Sequence, residues 1–148
     1  MVVMGAARPC RTAAKQPAPS LDARQFAVLA ARIAAEQKAE NVSVLDLRGL
    51  SNLADYFVIA TGTSNRQMHA VMEHIAEQAK AWGREPFGVE DSPSASWLLV
   101  DYVDVVVHVF DEEHRRYYDL DGLWGDAPRV AWQNEAQVPA PAADAAMQ

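Results

Sequence analysis

Residues 55–83, with the sequence DYFVIATGTSNRQMHAVMEHIAEQAKAWG, constrain the fold more than any other part of the chain. Residues 56–61 form an apolar, β-branched and aromatic run that has the length of a strand. Gly62 then interrupts this pattern, and we expect a tight turn there because glycine tolerates positive φ. The stretch therefore predicts a strand that turns directly into a helix.

The predicted helix is marked at both ends. Ser64 and Gln67 stand three residues apart, which suits a capping box at its start, and Gly83 marks its end. The apolar residues between them form one helical stripe that can cover a sheet: Met68, Val71, Met72, Ile75, Ala79 and Trp82. A glycine turn before a helix could also bind an anion, but TGTSN matches no phosphate-binding motif. We therefore interpret Gly62 and Ser64 as a structural turn and a helix cap.

Length and composition predict one soluble domain. The chain has 148 residues, and no apolar run approaches the roughly 18 residues that a membrane span needs. Cys10 is the only cysteine, which excludes an intramolecular disulfide and favours a reducing, cytoplasmic location. The formal net charge is −7, although residues 1–20 are basic and free of acids. An acidic body argues against direct binding to DNA, because that binding depends on clustered lysine and arginine.

Both ends of the chain are predicted to be disordered. Residues 1–20 have three prolines among alanines, and residues 125–148 are again rich in alanine and proline. Such segments bury too little apolar area to offset the entropy of ordering. The basic N-terminal segment also has a faint similarity to an organellar transit peptide, although it lacks an amphipathic stripe. The folded domain is therefore predicted to span residues 21–124.

Hydrophobic periodicity predicts a single α/β domain with a mixed five-stranded sheet flanked by helices. Strands are predicted at residues 42–48, 56–61, 86–90, 97–101 and 104–110, and helices at 22–38, 64–83 and 111–124. The short link between the first two strands favours an antiparallel pair, and the last two strands should form a hairpin. The helix at 64–83 should make a parallel crossover. The last strand is apolar on both faces, which is typical of a central strand.

Candidate catalytic and metal-binding residues do not come together in this arrangement. His69 and His74 are five residues apart, so they do not share a helix face as metal ligands four apart would. Asp101 and Asp104 are three apart across a turn, whereas two carboxylates on one strand face are two or four apart. We therefore predict no catalytic residue, metal or cofactor. A nucleotide-binding or nucleotidyltransferase-like enzyme is the alternative.

The strand at 97–101 has two interpretations. Trp97 and Leu99 point to one side and Leu98 to the other, so all three could be core residues. Trp97 could instead anchor a protein contact on an open sheet face, because tryptophan is enriched among residues that dominate interfaces. His108, within an apolar strand, is a hydrogen-bonded, partly buried imidazole or a residue that shapes the binding face. Tyr118 is a core, dimer or partner contact.

Four segments in this order resemble the ribosomal silencing factor (RsfS or Iojap-like) family: ADYFVIATGTSNRQ, W-x-L-V-D, DVVVHVF and RRYYDLDGLW. The resemblance covers about residues 21–124 and implies a nucleotidyltransferase-like topology without enzymatic activity, and a homodimer. It also implies binding to ribosomal protein L-fourteen of the large subunit, which would block joining of the small subunit and repress translation when nutrients are scarce. The resemblance favours the interface interpretation, with partner contacts at Trp97, Leu98, Leu99, His108 and Tyr118.

Two positions depart from the pattern of that family, which usually has glycine where this chain has Asp91 and Val103. A β-branched residue disfavours positive φ. The turn at Tyr102 and Val103 is therefore predicted to differ in geometry from the turn of the family.

Overall fold

A computed structural model describes residues 21–90 and 97–135 of the chain. The strands are β1 (Glu40–Asp46), β2 (Tyr56–Gly62), β3 (Gly88–Glu90), β4 (Trp97–Asp101) and β5 (Val105–Asp111). The helices are α1 (Ala23–Glu36), α2 (Asn65–Ala81), α3 (Glu112–Tyr118) and α4 (Leu120–Leu123), followed by a 3₁₀ turn at Trp132–Asn134. No helix within the described ranges combines the length and apolar character that crossing a membrane requires.

The five strands form one mixed sheet in the order β1-β2-β5-β4-β3. β2 pairs with β1 antiparallel and with β5 parallel, and β4 pairs antiparallel with both β5 and β3. The predicted fold class is confirmed, as are the antiparallel first pair, the final hairpin and the central last strand. β3 runs in the direction of β2 but lies at the far edge, so the crossover through α2 passes over two intervening strands.

The two faces of the sheet are covered to different extents. α1 and α2 pack on one face, here called the helical face, where Phe26 and Val71 lie in one core cluster with Val107. On the opposite face, here called the second face, Leu120 and Trp124 pack against a smaller cluster around Phe57. This smaller cover leaves the β4 side of the second face partly open.

Gly62 is required by packing and not by the positive φ that the sequence suggested. The glycines with positive φ in the described ranges are Gly49 and Gly83, the latter just after α2. A Cβ atom on Gly62 would instead collide with the side chain of Met68 in the first turn of α2. Glycine therefore allows α2 to start close against the end of β2.

Ser64 is the N-cap of α2, and its Oγ accepts a hydrogen bond from the backbone N–H of Gln67 at 3.1 Å. The reciprocal bond of a capping box is displaced by one residue. The Gln67 Oε1 accepts from the backbone N–H of Thr63 at 2.6 Å, and not from that of Ser64. The side chains of Ser64 and Gln67 thus accept hydrogen bonds from backbone N–H groups at the start of α2, which fits a structural cap.

The predicted single helix over residues 111–124 is wrong, because the chain breaks at Asp119. Asp119 has φ 49° and ψ 52°, in the left-handed region, and it ends α3. Its Oδ1 accepts a hydrogen bond from the Gly122 N–H at 3.1 Å, so it also caps α4. Aspartate tolerates this conformation better than most residues because its short side chain can hydrogen-bond locally.

The turn at Tyr102 and Val103 has, at Val103, the positive φ that a β-branched residue disfavours. Val103 has φ 78°. Its N–H donates to the Asp101 Oδ1 at 2.7 Å, and the Tyr102 N–H donates to the Val105 carbonyl at 2.8 Å. These hydrogen bonds hold the hairpin in a geometry that suits glycine. Asp91, the other departure from the family pattern, lies outside the described residues.

The predicted disordered tail is wrong for residues 126–135, here called the C-terminal strap. The Val130 N–H donates to the Val44 carbonyl at 2.9 Å, and the Asp46 N–H donates to the Pro128 carbonyl at 2.8 Å. The strap therefore pairs with the outer edge of β1, which would otherwise expose unpaired backbone groups. The folded unit extends at least to Glu135. The termini predicted to be disordered at residues 1–20 and 136–148 lie outside the described ranges.

Candidate functional site

The candidate site lies on the open part of the second face, where strand pairing brings aromatic residues together. Trp97 pairs with Phe110 and Leu99 pairs with His108 across β4 and β5, so all four side chains project to this face. His108 and Phe110 are buried, whereas Trp97 and Leu99 are half-buried. Tyr117 and Tyr118 from α3 lie beside them. We call Trp97, Leu99, Tyr117 and Tyr118 the aromatic patch.

The Trp97 ring is held from several sides. It stacks on Phe110, with ring centroids 5.0 Å apart and an angle of 25° between the planes. The Tyr118 ring lies 4.7 Å away on a tilt of 43°. The indole N–H donates to the Nδ1 of His108 at 3.2 Å. This ring is therefore fixed before any partner binds, and its polar atom is used inside the protein.

His108 is a buried, neutral imidazole. Burial lowers the pKa of His108 to about 4. Because Nδ1 accepts the indole hydrogen bond, the proton of the neutral ring lies on Nε2. That Nε2 has no hydrogen-bond partner within residues 21–90 and 97–135, and the ring meets Phe57 edge-on with centroids 4.6 Å apart. The buried His108 therefore fixes the orientation of the Trp97 ring through the hydrogen bond from the indole N–H.

α3 supplies the side of the site next to Trp97. It follows β5 directly, and Asp111 is its N-cap, because the Asp111 Oδ1 accepts from the His114 N–H at 2.8 Å. One side of the short helix carries Glu113, His114, Tyr117 and Tyr118, which line a pocket of about 320 Å³. Tyr117 and Tyr118 are both exposed. The pocket meets the aromatic patch at these two tyrosines.

The structure brings together some of the predicted partner contacts and separates others. Trp97, Leu99 and Tyr118 lie on one accessible surface. Leu98 lies on the helical face and is only 2% exposed, so its predicted partner contact is wrong: strand alternation turns it into the core. His108 is 4% exposed, so a direct contact is excluded as well. The interpretation of Tyr118 as a core, dimer or partner contact applies equally to Tyr117, which is not among the predicted partner contacts but is exposed on the same helix.

A second cavity, here called the arginine cleft, lies between α3, β1 and the C-terminal strap. It has a volume of about 730 Å³ and is lined by three arginines and three carboxylates, among other residues. Arg115 donates to the Asp121 carboxylate at 3.0 Å and to the Thr61 Oγ1 at 2.9 Å. Arg129 donates to the Ser43 Oγ at 2.9 Å and lies 3.3 Å from Asp121. These contacts join the strap to the second face.

The charges of the arginine cleft compensate one another. Burial alone would raise the pKa of Asp121, but hydrogen bonds and charge from Arg115 and Arg129 lower it, so the carboxylate stays ionised. Arg116 pairs with Glu112 at 3.4 Å at the rim. Counting the described residues that line it, the cleft therefore has no excess positive charge for a triphosphate. Within the described ranges, no three His, Cys, Asp or Glu residues are placed to hold a metal ion.

The two carboxylates considered for nucleotidyl transfer have structural partners. Asp104 forms an ion pair with Arg84 at 2.9 Å. The Asp101 Oδ1 accepts from the Val103 N–H in the hairpin turn. They thus stabilise the two sides of one turn and do not form a pair that could bind Mg²⁺.

Similarity to known proteins is consistent over most of the chain. Residues 20–148 match a family model described as ribosomal silencing factor during starvation. The chain is 44% identical over 100 residues to the ribosomal silencing factor RsfS of Bacillus subtilis, covering 68% of this chain and 85% of that protein. It is 37% identical over 108 residues to the chloroplastic protein Iojap of Zea mays, covering 71% of this chain and 46% of that one. A crystal structure of a Chromobacterium violaceum protein superposes with a TM-score of 0.68 at 33% identity, covering 82% of this chain and 98% of that one.

Proposed function

We propose, because the chain belongs to the ribosomal silencing factor family, that it binds the large ribosomal subunit in the cytoplasm and represses translation. The contact is with ribosomal protein L-fourteen. By occupying that surface the protein sterically blocks joining of the small subunit, chiefly when nutrients are limiting. It acts as a regulatory binding protein and has no catalytic role.

The observation that carries this proposal is the aromatic patch around Trp97. A half-buried indole, stacked on Phe110 and Tyr118, is a rigid anchor that loses little conformational entropy on binding. Its N–H is already bonded to His108, so the ring offers a partner an apolar edge. The acidic chain repels phosphate, which favours a ribosomal protein over rRNA as the direct partner.

Trp97→Ala tests the proposal. Truncating a central aromatic anchor costs about 2–4 kcal/mol, so affinity for isolated large subunits should fall by roughly 30-fold to 1,000-fold. Cosedimentation at micromolar concentration should be lost while the circular dichroism spectrum is unchanged. Trp82→Ala is the matched control, because Trp82 packs on the helical face, away from the patch. This control should still cosediment.

Two results would contradict the role of Trp97. If both Trp97→Ala and the conservative Trp97→Phe unfold, Trp97 is a core residue. A folded Trp97→Ala that blocks subunit joining at wild-type concentrations would place the anchor elsewhere on the molecule.

Family membership also supports a homodimer. Several large apolar side chains outside the aromatic patch are exposed and could contribute to a contact between copies: Leu50, Leu53, Phe87, Val89, Val103 and Leu123. Light scattering at micromolar concentration should give twice the chain mass of 16.2 kDa. A constant monomer mass up to about 0.1 mM would contradict this part of the proposal.

The alternative, a nucleotide-binding enzyme, has less support because the guanidinium groups of the arginine cleft are already paired with carboxylates. Titration with a nucleoside triphosphate and Mg²⁺ separates the two functions. We expect no saturable binding below millimolar concentration. Micromolar binding that is lost in Arg129→Ala would favour the enzyme.

A further inference from the structure

We propose that the pocket on α3 beside Trp97 receives a lysine or arginine side chain of the partner protein. The inference rests on the proposed function, because it requires a partner seated on the aromatic patch. The pocket has a volume of about 320 Å³ and is lined by Glu113, His114, Tyr117 and Tyr118. The Tyr118 ring lies 4.7 Å from that of Trp97, so a partner that covers Trp97 also covers the pocket.

The two tyrosines form an aromatic corner suited to a cation. The rings of Tyr117 and Tyr118 are 5.1 Å apart and stand at 85° to each other. Tyr117 is 78% exposed and Tyr118 is 43% exposed, so at least one ring face is accessible. Ammonium and guanidinium groups are attracted to such faces, and more strongly when binding removes water.

Glu113 supplies the opposite charge. It stands four residues before Tyr117, which places both on the same side of α3. Glu113 forms no ion pair within residues 21–90 and 97–135, whereas its neighbour Glu112 pairs with Arg116. The Nδ1 of His114, which also lines the pocket, lies 2.8 Å from the Asp111 carboxylate. Among the described residues, Glu113 is therefore a carboxylate without a counter-ion beside two tyrosine rings, and a lysine or arginine side chain of the partner would supply that counter-ion.

The open sheet next to the pocket adds negative charge. Glu90 pairs with Leu99 across β3 and β4, and Gly88 pairs with Asp101, so Glu90 and Asp101 project to the same face as Trp97. Carboxylates from β3, β4 and α3 thus flank the patch (Glu90, Asp101 and Glu113), whereas Arg115 and Arg116 of α3 line the arginine cleft. This negative charge complements a basic protein surface and repels the phosphates of a nucleic acid.

The test compares two charge-neutralising variants and two tyrosine variants in binding to isolated large subunits. Glu113→Gln should weaken binding about 5-fold to 30-fold, and Glu112→Gln, one residue away on the other side of α3, by less than about twofold. Tyr117→Leu, which removes the π face, should cause a loss like that of Glu113→Gln. Tyr117→Phe should bind like the wild type. Glu113 and Tyr117 are exposed, and melting curves establish that each variant is folded.

The outcomes separate this inference from the proposed function. If the wild type does not bind large subunits, the proposed function fails and the inference fails with it. If the wild type binds, Trp97→Ala does not, and both Glu113→Gln and Tyr117→Leu bind normally, then the function stands and the pocket does not hold a base. Equal losses of binding in Glu112→Gln and Glu113→Gln would show that the overall charge of the protein, and not the pocket, causes the effect. That result would overturn the inference.

Discussion

Val103 has a backbone conformation that β-branched residues rarely adopt. Its φ of 78° lies in the left-handed region. Its side chain is 61% exposed, so side-chain packing does not explain why a valine occupies this position. Strain of this kind costs about 1–3 kcal/mol and persists only where neighbouring contacts impose it. Here the Asp104 carbonyl accepts from the N–H groups of Asp55 and Tyr56, which ties the hairpin turn to the start of β2.

We predict that Val103→Gly stabilises the protein. Relief of strain should exceed the entropic cost of glycine in the unfolded chain, for a net gain of about 0.5–1.5 kcal/mol in the free energy of unfolding. Val103→Ala keeps a Cβ atom and should gain less. Urea denaturation at pH 7 measures both variants. A Val103→Gly protein that is less stable than the wild type would show that the valine side chain makes a stabilising contact.

His108 should make stability depend on pH in a defined window. Its pKa is lowered by burial to about 4 in the folded state, against a usual value of 6.5. Between pH 6.5 and pH 4 the unfolded chain therefore binds a proton at this residue that the folded chain does not, so stability falls as the pH falls. The stability that the neutral imidazole contributes is fully present above pH 6.5. About 2 kcal/mol of it is lost between pH 7 and pH 5.

The measurement is the free energy of unfolding at pH 7 and pH 5 for the wild type and for His108→Gln. The variant is less stable at pH 7, but the pH-dependent difference should shrink by about 2 kcal/mol. An NMR titration that gives His108 a pKa near 6.5 would contradict the buried, neutral imidazole.

At the level of elements, α2 was predictable and the C-terminal strap was not. The cap at Ser64, the apolar stripe and the final glycine of α2 are local signals, which the sequence displays directly. The strap is held by the open edge of β1, by burial of Ala127 and Val130, and by the Arg24–Glu135 ion pair at 3.0 Å. These contacts exist only once the sheet order is set, so an alanine- and proline-rich composition gave no sign of them.

We predict that the strap stabilises the domain. A chain ending at residue 125 loses two backbone hydrogen bonds to β1, the burial of Val130 and the hydrogen bond that the Trp132 indole N–H donates to the Val42 carbonyl at 3.0 Å. Its melting temperature should fall by about 5–15 °C relative to a chain ending at residue 135. Equal melting temperatures for the two chains would show that the strap adds nothing. The chain ending at 135 should melt like the full-length protein.

At the level of the whole molecule, the candidate site could be predicted only in part. Strand alternation placed Trp97 and Leu99 together from sequence alone. It could not say which face the helices cover, so Leu98 was assigned to the interface although it lies in the core. The bond between Trp97 and His108 depends on the register of the β4–β5 hairpin. The pocket on α3 depends on the break at Asp119, which ends that helix after Tyr118.

The acidic charge of the whole molecule leads to the last prediction, on the salt dependence of binding to the large subunit. A protein that makes six to ten phosphate contacts loses about 10³-fold to 10⁵-fold in affinity between 50 and 200 mM salt, because bound counterions are released. A chain with net charge −7 that binds through Trp97 and one acidic pocket should lose less than about tenfold. Titrations of labelled protein with large subunits at four salt concentrations measure the slope of log affinity against log salt concentration.

Glu113→Gln removes the charge of the pocket, so it should flatten that slope further, whereas Glu112→Gln should not. A slope of about −5 or steeper in the wild type would mean that rRNA phosphates dominate the contact, and the protein surface proposed here would then be wrong.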